Sequence, residues 1–124
     1  MAPYTFLENI ETEVPIPENG ILSRTLFNDE MLKVVAFGFS AGQELSAHTA
    51  PMAAILYFMS GEAELTLGAE KKNVCAGAFV HMPPQTPHGS LAKTPVAMLL
   101  LMLKQIRQEK PLRRQGYSGE SIRS

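Results

Sequence analysis

Residues 42–61 read GQELSAHTAPMAAILYFMSG, and residues 77–88 read GAFVHMPPQTPH. Each stretch opens on a glycine and carries histidine: His48 in the first, His81 and His88 in the second. The first closes on Ser60-Gly61, a chain breaker, after the β-rich run 55–59. The second stops at Pro83-Pro84, where N–H donors for a β-ladder run out. All three histidines of the chain therefore sit on or beside short β-type segments.

Working outward, the same texture continues. Residues 62–67 alternate, with Glu62, Glu64 and Thr66 on one face and Ala63, Leu65 and Leu67 on the other, as in a half-buried strand. Gly68-Ala69-Glu70 turns the chain into 71–75, and Ala76-Gly77 turns it again before the short run 79–82. Upstream, 22–27 and 31–39 read as strands flanking the polar cluster Asn28-Asp29-Glu30. Downstream, 88–91 is followed by the turn-like Ala92-Lys93-Thr94-Pro95 and then by the apolar run 96–103. That run is too short for most helices and follows a succession of strands, so it is expected to be a strand buried on both faces. Residues 1–20 hold three prolines and no period, and are expected to be extended or irregular. Short strands at regular spacing with Gly/Pro turns argue for an all-β sandwich or barrel in one domain.

The bulk numbers agree with this. The chain has 124 residues, 45% hydrophobic and 19% charged, enough for one core and too few for two. A single cysteine, Cys75, cannot form an internal disulfide, and it has no activating neighbour that would make it a nucleophile. Residues 1–10 lack a basic start followed by an apolar run, and no stretch approaches the roughly 20 apolar residues of a spanning helix. A cytoplasmic protein without membrane association is the expectation. Charge is uneven: residues 1–103 carry five basic and ten acidic residues, whereas 104–124 carry six basic and two acidic. The basic residues of that tail are interrupted by Gln, Pro, Gly and Ser without an aromatic cluster. Nucleic-acid binding is therefore not expected of it; a solvated tail or a strap on a partner subunit is.

The two quoted stretches resemble the motif pair of the cupin superfamily. The first motif runs glycine, five residues, His-x-His, three or four residues, Glu, six residues, glycine; the second runs glycine, five residues, Pro-x-Gly, two residues, histidine. Gly42, His48, Gly61, Gly77, Pro83 and His88 match in register. The resemblance covers residues 20–104 and implies a cupin-type double-stranded β-helix, a jelly-roll barrel, in an RmlC-like homodimer with a ligand pocket in its mouth. It divides the chain into an extended segment 1–19, the barrel 20–104 and the basic tail 105–124. An apolar run such as 96–103 at a sheet edge would also favour dimerisation, since it would otherwise pair indiscriminately.

Three motif positions depart from the pattern. Ala50 stands where the second histidine would be, Ala54 where the glutamate would be, and Gln85 replaces the glycine. The resemblance implies a metal-ligand role for His48 and His88 alone. His-x-His places two imidazoles on one strand face, and a carboxylate and a further histidine complete a site for Fe, Mn, Ni, Cu or Zn. Two histidines leave most of that shell to water, so any divalent metal would be weakly held. His81 shares a face with Phe79, and it would serve as a third nitrogen ligand or an acid/base only if that face looks inward. Glu44 would have to fold in to restore a carboxylate, while Met52, Met59, Met82 and Met98 offer thioethers that more often fill cores. Gln43, Tyr57 and Met82 are expected to line the pocket. Two readings stand side by side: a small-molecule binder with an apolar pocket around His48 and His88, and a metal-dependent dioxygenase or isomerase using them with water or His81. A vestigial histidine pair, or an interaction module working through the basic tail, are further alternatives. The residues name no catalytic group.

Overall fold

The computed structural model describes residues 3–104. The tail 105–124, with its predicted role, lies outside the described residues. Nine strands follow a single 3-10 turn at Ile10–Glu13: β1 (Ile21–Asn28), β2 (Leu32–Phe39), β3 (Glu44–His48), β4 (Ala53–Ser60), β5 (Glu62–Leu67), β6 (Glu70–Cys75), β7 (Phe79–Met82), β8 (His88–Ala92) and β9 (Val96–Leu103). They form two antiparallel sheets, one in the order β1-β2-β9-β4-β7 and the other β3-β8-β5-β6. This is the predicted jelly-roll. No helix among the described residues is long and apolar enough to cross a membrane.

Alternation decides which side chains fill the space between the sheets. On β4, Ala54, Leu56 and Phe58 point inward and are buried, while Tyr57 between them is exposed. On β5, Ala63 and Leu65 are buried, as the sequence pattern required. They join Phe39, Met82, Ala92, Val96 and Met98 in one core. The turn between β4 and β5 rests on Gly61, whose φ is +90° and whose absent side chain would stand 2.1 Å from the Pro95 carbonyl oxygen. Only glycine fits there.

Two expectations need correction. Strand β9 is not an edge but lies between β2 and β4, with its outer face only half buried. The run is apolar because a central strand touches neighbours on both sides, so it cannot drive dimerisation by edge pairing. Strand β3 was not anticipated, since Glu-Leu-Ser-Ala-His offers one large apolar residue. The N-terminal segment is irregular, as expected, yet anchored. Val14 is buried, and Arg24 reaches back to Glu13 through a hydrogen bond to its carbonyl (2.9 Å) and an ion pair. Pro15 and Ile16 cross the outer face of β2 at Gly38, where a side chain would lie 2.8 Å from the Pro15 carbonyl oxygen.

Candidate functional site

His48 ends β3 and His88 begins β8, and the two are direct cross-strand partners. Residues opposite one another in an antiparallel pair share a face, so both imidazoles project to the inside of the barrel mouth. Their ring centroids are 4.5 Å apart and the planes are tilted by 52°. The register of β3 against β8 shifts between Leu45 and His48. This bulge re-aims the end of the strand, a common device beside binding sites. It is possible because residue 89 is glycine: a side chain there would meet Ala47 N at 2.8 Å and Leu45 O at 2.9 Å.

Each ring is oriented from behind. His48 Nδ1 lies 2.9 Å from the Ser46 carbonyl oxygen, and His88 Nδ1 lies 2.9 Å from that of Thr86. A carbonyl oxygen only accepts, so each Nδ1 carries a hydrogen, and in the neutral form of each ring Nε2 is the acceptor. Among the described residues no buried side-chain nitrogen or oxygen lacks a partner.

The rings border a cavity of about 190 Å³, also lined by Phe37, Leu45, Leu56, Ser90, Met98 and Leu100. Apart from the two histidines and Ser90, these side chains are apolar, and no acidic or basic chain is among them. For scale, an apolar cavity of about 150 Å³ accepts benzene. The space therefore suits one ring. A larger groove of about 580 Å³ lies outside the barrel, between residues 3–10 and Leu26, Phe27, Leu32 and Val34, and brings no histidine or carboxylate with it.

The remaining expected residues are elsewhere. His81 and Phe79 point away from the barrel interior, opposite Ile55 and Tyr57 on the outer face of the five-stranded sheet. His81 is exposed and cannot join the pair as a third ligand. Tyr57 is outside for the same reason: inward positions of β4 are the even-numbered ones. Gln43 lies in the β2–β3 turn, at the other end of β3 from His48, its carbonyl bound to Ala92 N. Met82 does point inward, but it is packed against Ala54 in the core and does not line the cavity. Glu44 is exposed opposite Leu91, and Cys75 is exposed opposite Glu62. Of the four methionines considered, only Met98 lines the cavity. Ser90 was missed, although period two from His88 along one strand would have found it.

The donor set does not suit a retained metal. Among the described residues no group of three His, Cys, Asp or Glu is placed to hold one. Ala54, where a carboxylate would stand, is buried and apolar. The other two departures meet each other instead, Gln85 N donating to Ala50 O at 2.8 Å.

Comparison with known proteins gives three kinds of result. A sequence model described as the cupin domain matches residues 36–103. Among solved structures, a conserved protein of unknown function from Streptococcus pyogenes is 31% identical over 86% of this chain and 93% of its own, with a TM-score of 0.76. A cupin superfamily protein from Desulfitobacterium hafniense is 20% identical over 82% and 95%, with a TM-score of 0.75. The DMSP lyase DddQ from Ruegeria pomeroyi is 20% identical over 73% of this chain and 50% of its own, with a TM-score of 0.64. The last two show likeness of fold alone. No curated protein matches the chain at a significant level.

Proposed function

This chain belongs to the cupin domain family, and from that premise we propose that it binds a small organic molecule in the barrel mouth, held by His48 and His88. The observation that carries this reading is the pair of imidazoles, each held at Nδ1 by a backbone carbonyl, bordering an otherwise apolar cavity. A few convergent polar groups in an apolar concavity are what small-molecule sites generally present. The cavity is smaller than a typical drug-sized pocket, so the ligand is compact.

A metal-dependent reading draws on the same two nitrogens. With water supplying the other positions, a divalent ion would exchange freely, and a redox or Lewis-acid cycle needs an ion that stays. The two readings separate by direct measurement. Protein purified without chelator or nickel resin is analysed for bound Fe, Mn, Ni, Cu and Zn after dialysis, beside a His48→Ala/His88→Ala variant. The binder reading expects substoichiometric metal and a thermal shift with single-ring compounds that the variant loses. Near-stoichiometric metal that disappears in the variant would overturn it.

We also propose a homodimer formed through the outer face of the five-stranded sheet. Phe79, Tyr57 and Leu99 make one row there and His81, Ile55 and Leu101 the next, with no acidic or lysine/arginine side chain in either. Phe79 is 64% exposed and Tyr57 39%. A two-fold interface presents the same patch from both subunits, which an uncharged apolar patch satisfies without like-charge conflict.

A further inference from the structure

The hydrogen-bonding polarity of the cavity restricts its ligand further. Resting on the binder reading above, we infer that the ligand is a neutral, single-ring hydrogen-bond donor, a phenol or best a vicinal dihydroxybenzene, and that carboxylates are rejected.

Both Nδ1 atoms face carbonyl oxygens, of Ser46 and of Thr86, so the Nδ1 hydrogen of each ring is already committed. In their neutral form the two rings then bring two Nε2 acceptors to the cavity wall and no imidazole donor. The Ser90 hydroxyl is the remaining polar side-chain group in the lining. A carboxylate entering here would set its oxygens against two nitrogen lone pairs, with no lysine or arginine among the lining residues to offset its charge. Half-shielded from water at His88 and without a counter-charge, an ion there is unfavourable. An ether or ketone brings only acceptors and has one hydroxyl donor to meet, that of Ser90, while both Nε2 atoms stay unsatisfied. A hydroxyl donates its hydrogen to one Nε2, and a second hydroxyl on the adjacent ring carbon donates to the other, across rings whose centroids are 4.5 Å apart. Phe37, Leu45, Leu56, Met98 and Leu100 supply apolar walls for the ring.

The test is calorimetric titration with catechol, phenol, fluorobenzene and benzoate. It is done under nitrogen, with EDTA present so that no metal supplies the contact, at about pH 8, above the ordinary imidazole range. Each net hydrogen bond in such a site is worth several-fold to about tenfold in affinity. Catechol should bind tighter than phenol, and phenol tighter than fluorobenzene, by such factors, and benzoate should not bind. His48→Asn and His88→Asn probe the origin of the difference, because an asparagine amide can keep the hydrogen bond to the backbone carbonyl while deleting Nε2. Each should reduce the catechol preference and leave fluorobenzene affinity within about twofold; His48→Phe serves as a second variant if an asparagine variant fails to fold. Benzoate binding as well as phenol, or all four rings binding alike, would overturn the donor rule while leaving the cavity a binding site. Failure of every ring to bind, with the wild-type protein folded, would remove the binder reading itself and this inference with it.

Discussion

Gln85 has a φ of +67° and is the one non-glycine residue in the left-handed region among those described. The resembling motif has glycine at this position, the residue that adopts a left-handed backbone without steric cost. That path delivers the Gln85 N–H to Ala50 O and leads the chain into Thr86, whose carbonyl orients His88. Left-handed geometry costs a non-glycine residue about 1–2 kcal/mol, while glycine loses roughly 0.5–1 kcal/mol more chain entropy on folding. Gln85→Gly should therefore stabilise the protein by about 0.5–1 kcal/mol, a rise of a few degrees in Tm. An unchanged or lower Tm would show that the glutamine side chain contributes something its exposure conceals. Gly89 is the opposite case. Gly89→Ala drives a methyl into the backbone of Ala47 and Leu45, costing about 1–3 kcal/mol by overpacking. It should also weaken ligand binding, by moving β3 and with it His48; denaturant titration and calorimetry on the same sample read both effects. At this scale the histidine pair was legible, because the resemblance to the cupin motifs nominated His48 and His88. The tautomers were not, because they depend on carbonyls that only the folded loop brings to each ring.

Strand β3 holds half of the site on the less secure side of the fold. It is an edge strand, five residues long, and its pairing with β8 is interrupted by the bulge. Strands β4 and β9, by contrast, run eight residues each inside the other sheet. Edges with few buried contacts open at lower free energy than central strands. Amide hydrogen exchange in β3 should accordingly be faster than in β4 or β9 and should slow when the cavity is filled. Equal protection of β3 and β9 in the free protein would contradict this. The element scale also shows where sequence reading reached its limit. Residues 62–67 announced their two faces because charged and apolar residues alternate. Strands β4 and β9 were readable as strands but not by face, because both of their faces are apolar; the orientation of Tyr57 and the central place of β9 follow from register, which composition does not record. Strand β3 was invisible for the converse reason, having too little hydrophobic residue to signal.

At the level of the whole molecule, the two sheets divide the work. The four-stranded sheet supplies both histidines, while the five-stranded sheet supplies much of the cavity wall inside and the uncharged rows outside. Phe79→Glu tests the outer face cleanly, because a residue so exposed contributes little to the barrel interior. The variant should retain the wild-type spectrum and ring binding but run at the 13.6 kDa mass of one chain in light scattering, with the unmodified protein at twice that. A wild-type monomer, or a variant that remains dimeric, would rule this face out as the interface. The fold class and the single-domain organisation were readable from strand spacing and the paired motifs. Which apolar rows stand uncovered on the outer face was not, since that depends on where the N-terminal segment crosses the sheet.

That segment crosses β2 at a residue chosen for having no side chain. Pro15 and Ile16 lie against the bare backbone of Gly38, and a single methyl group there would act as a wedge beneath the crossing. One added carbon at position 38 would force Pro15 and Ile16 away from β2, while the histidine pair, on the other sheet, keeps its own strands. The N-terminal crossing and the histidine cavity can therefore be perturbed separately, one of them by a single atom.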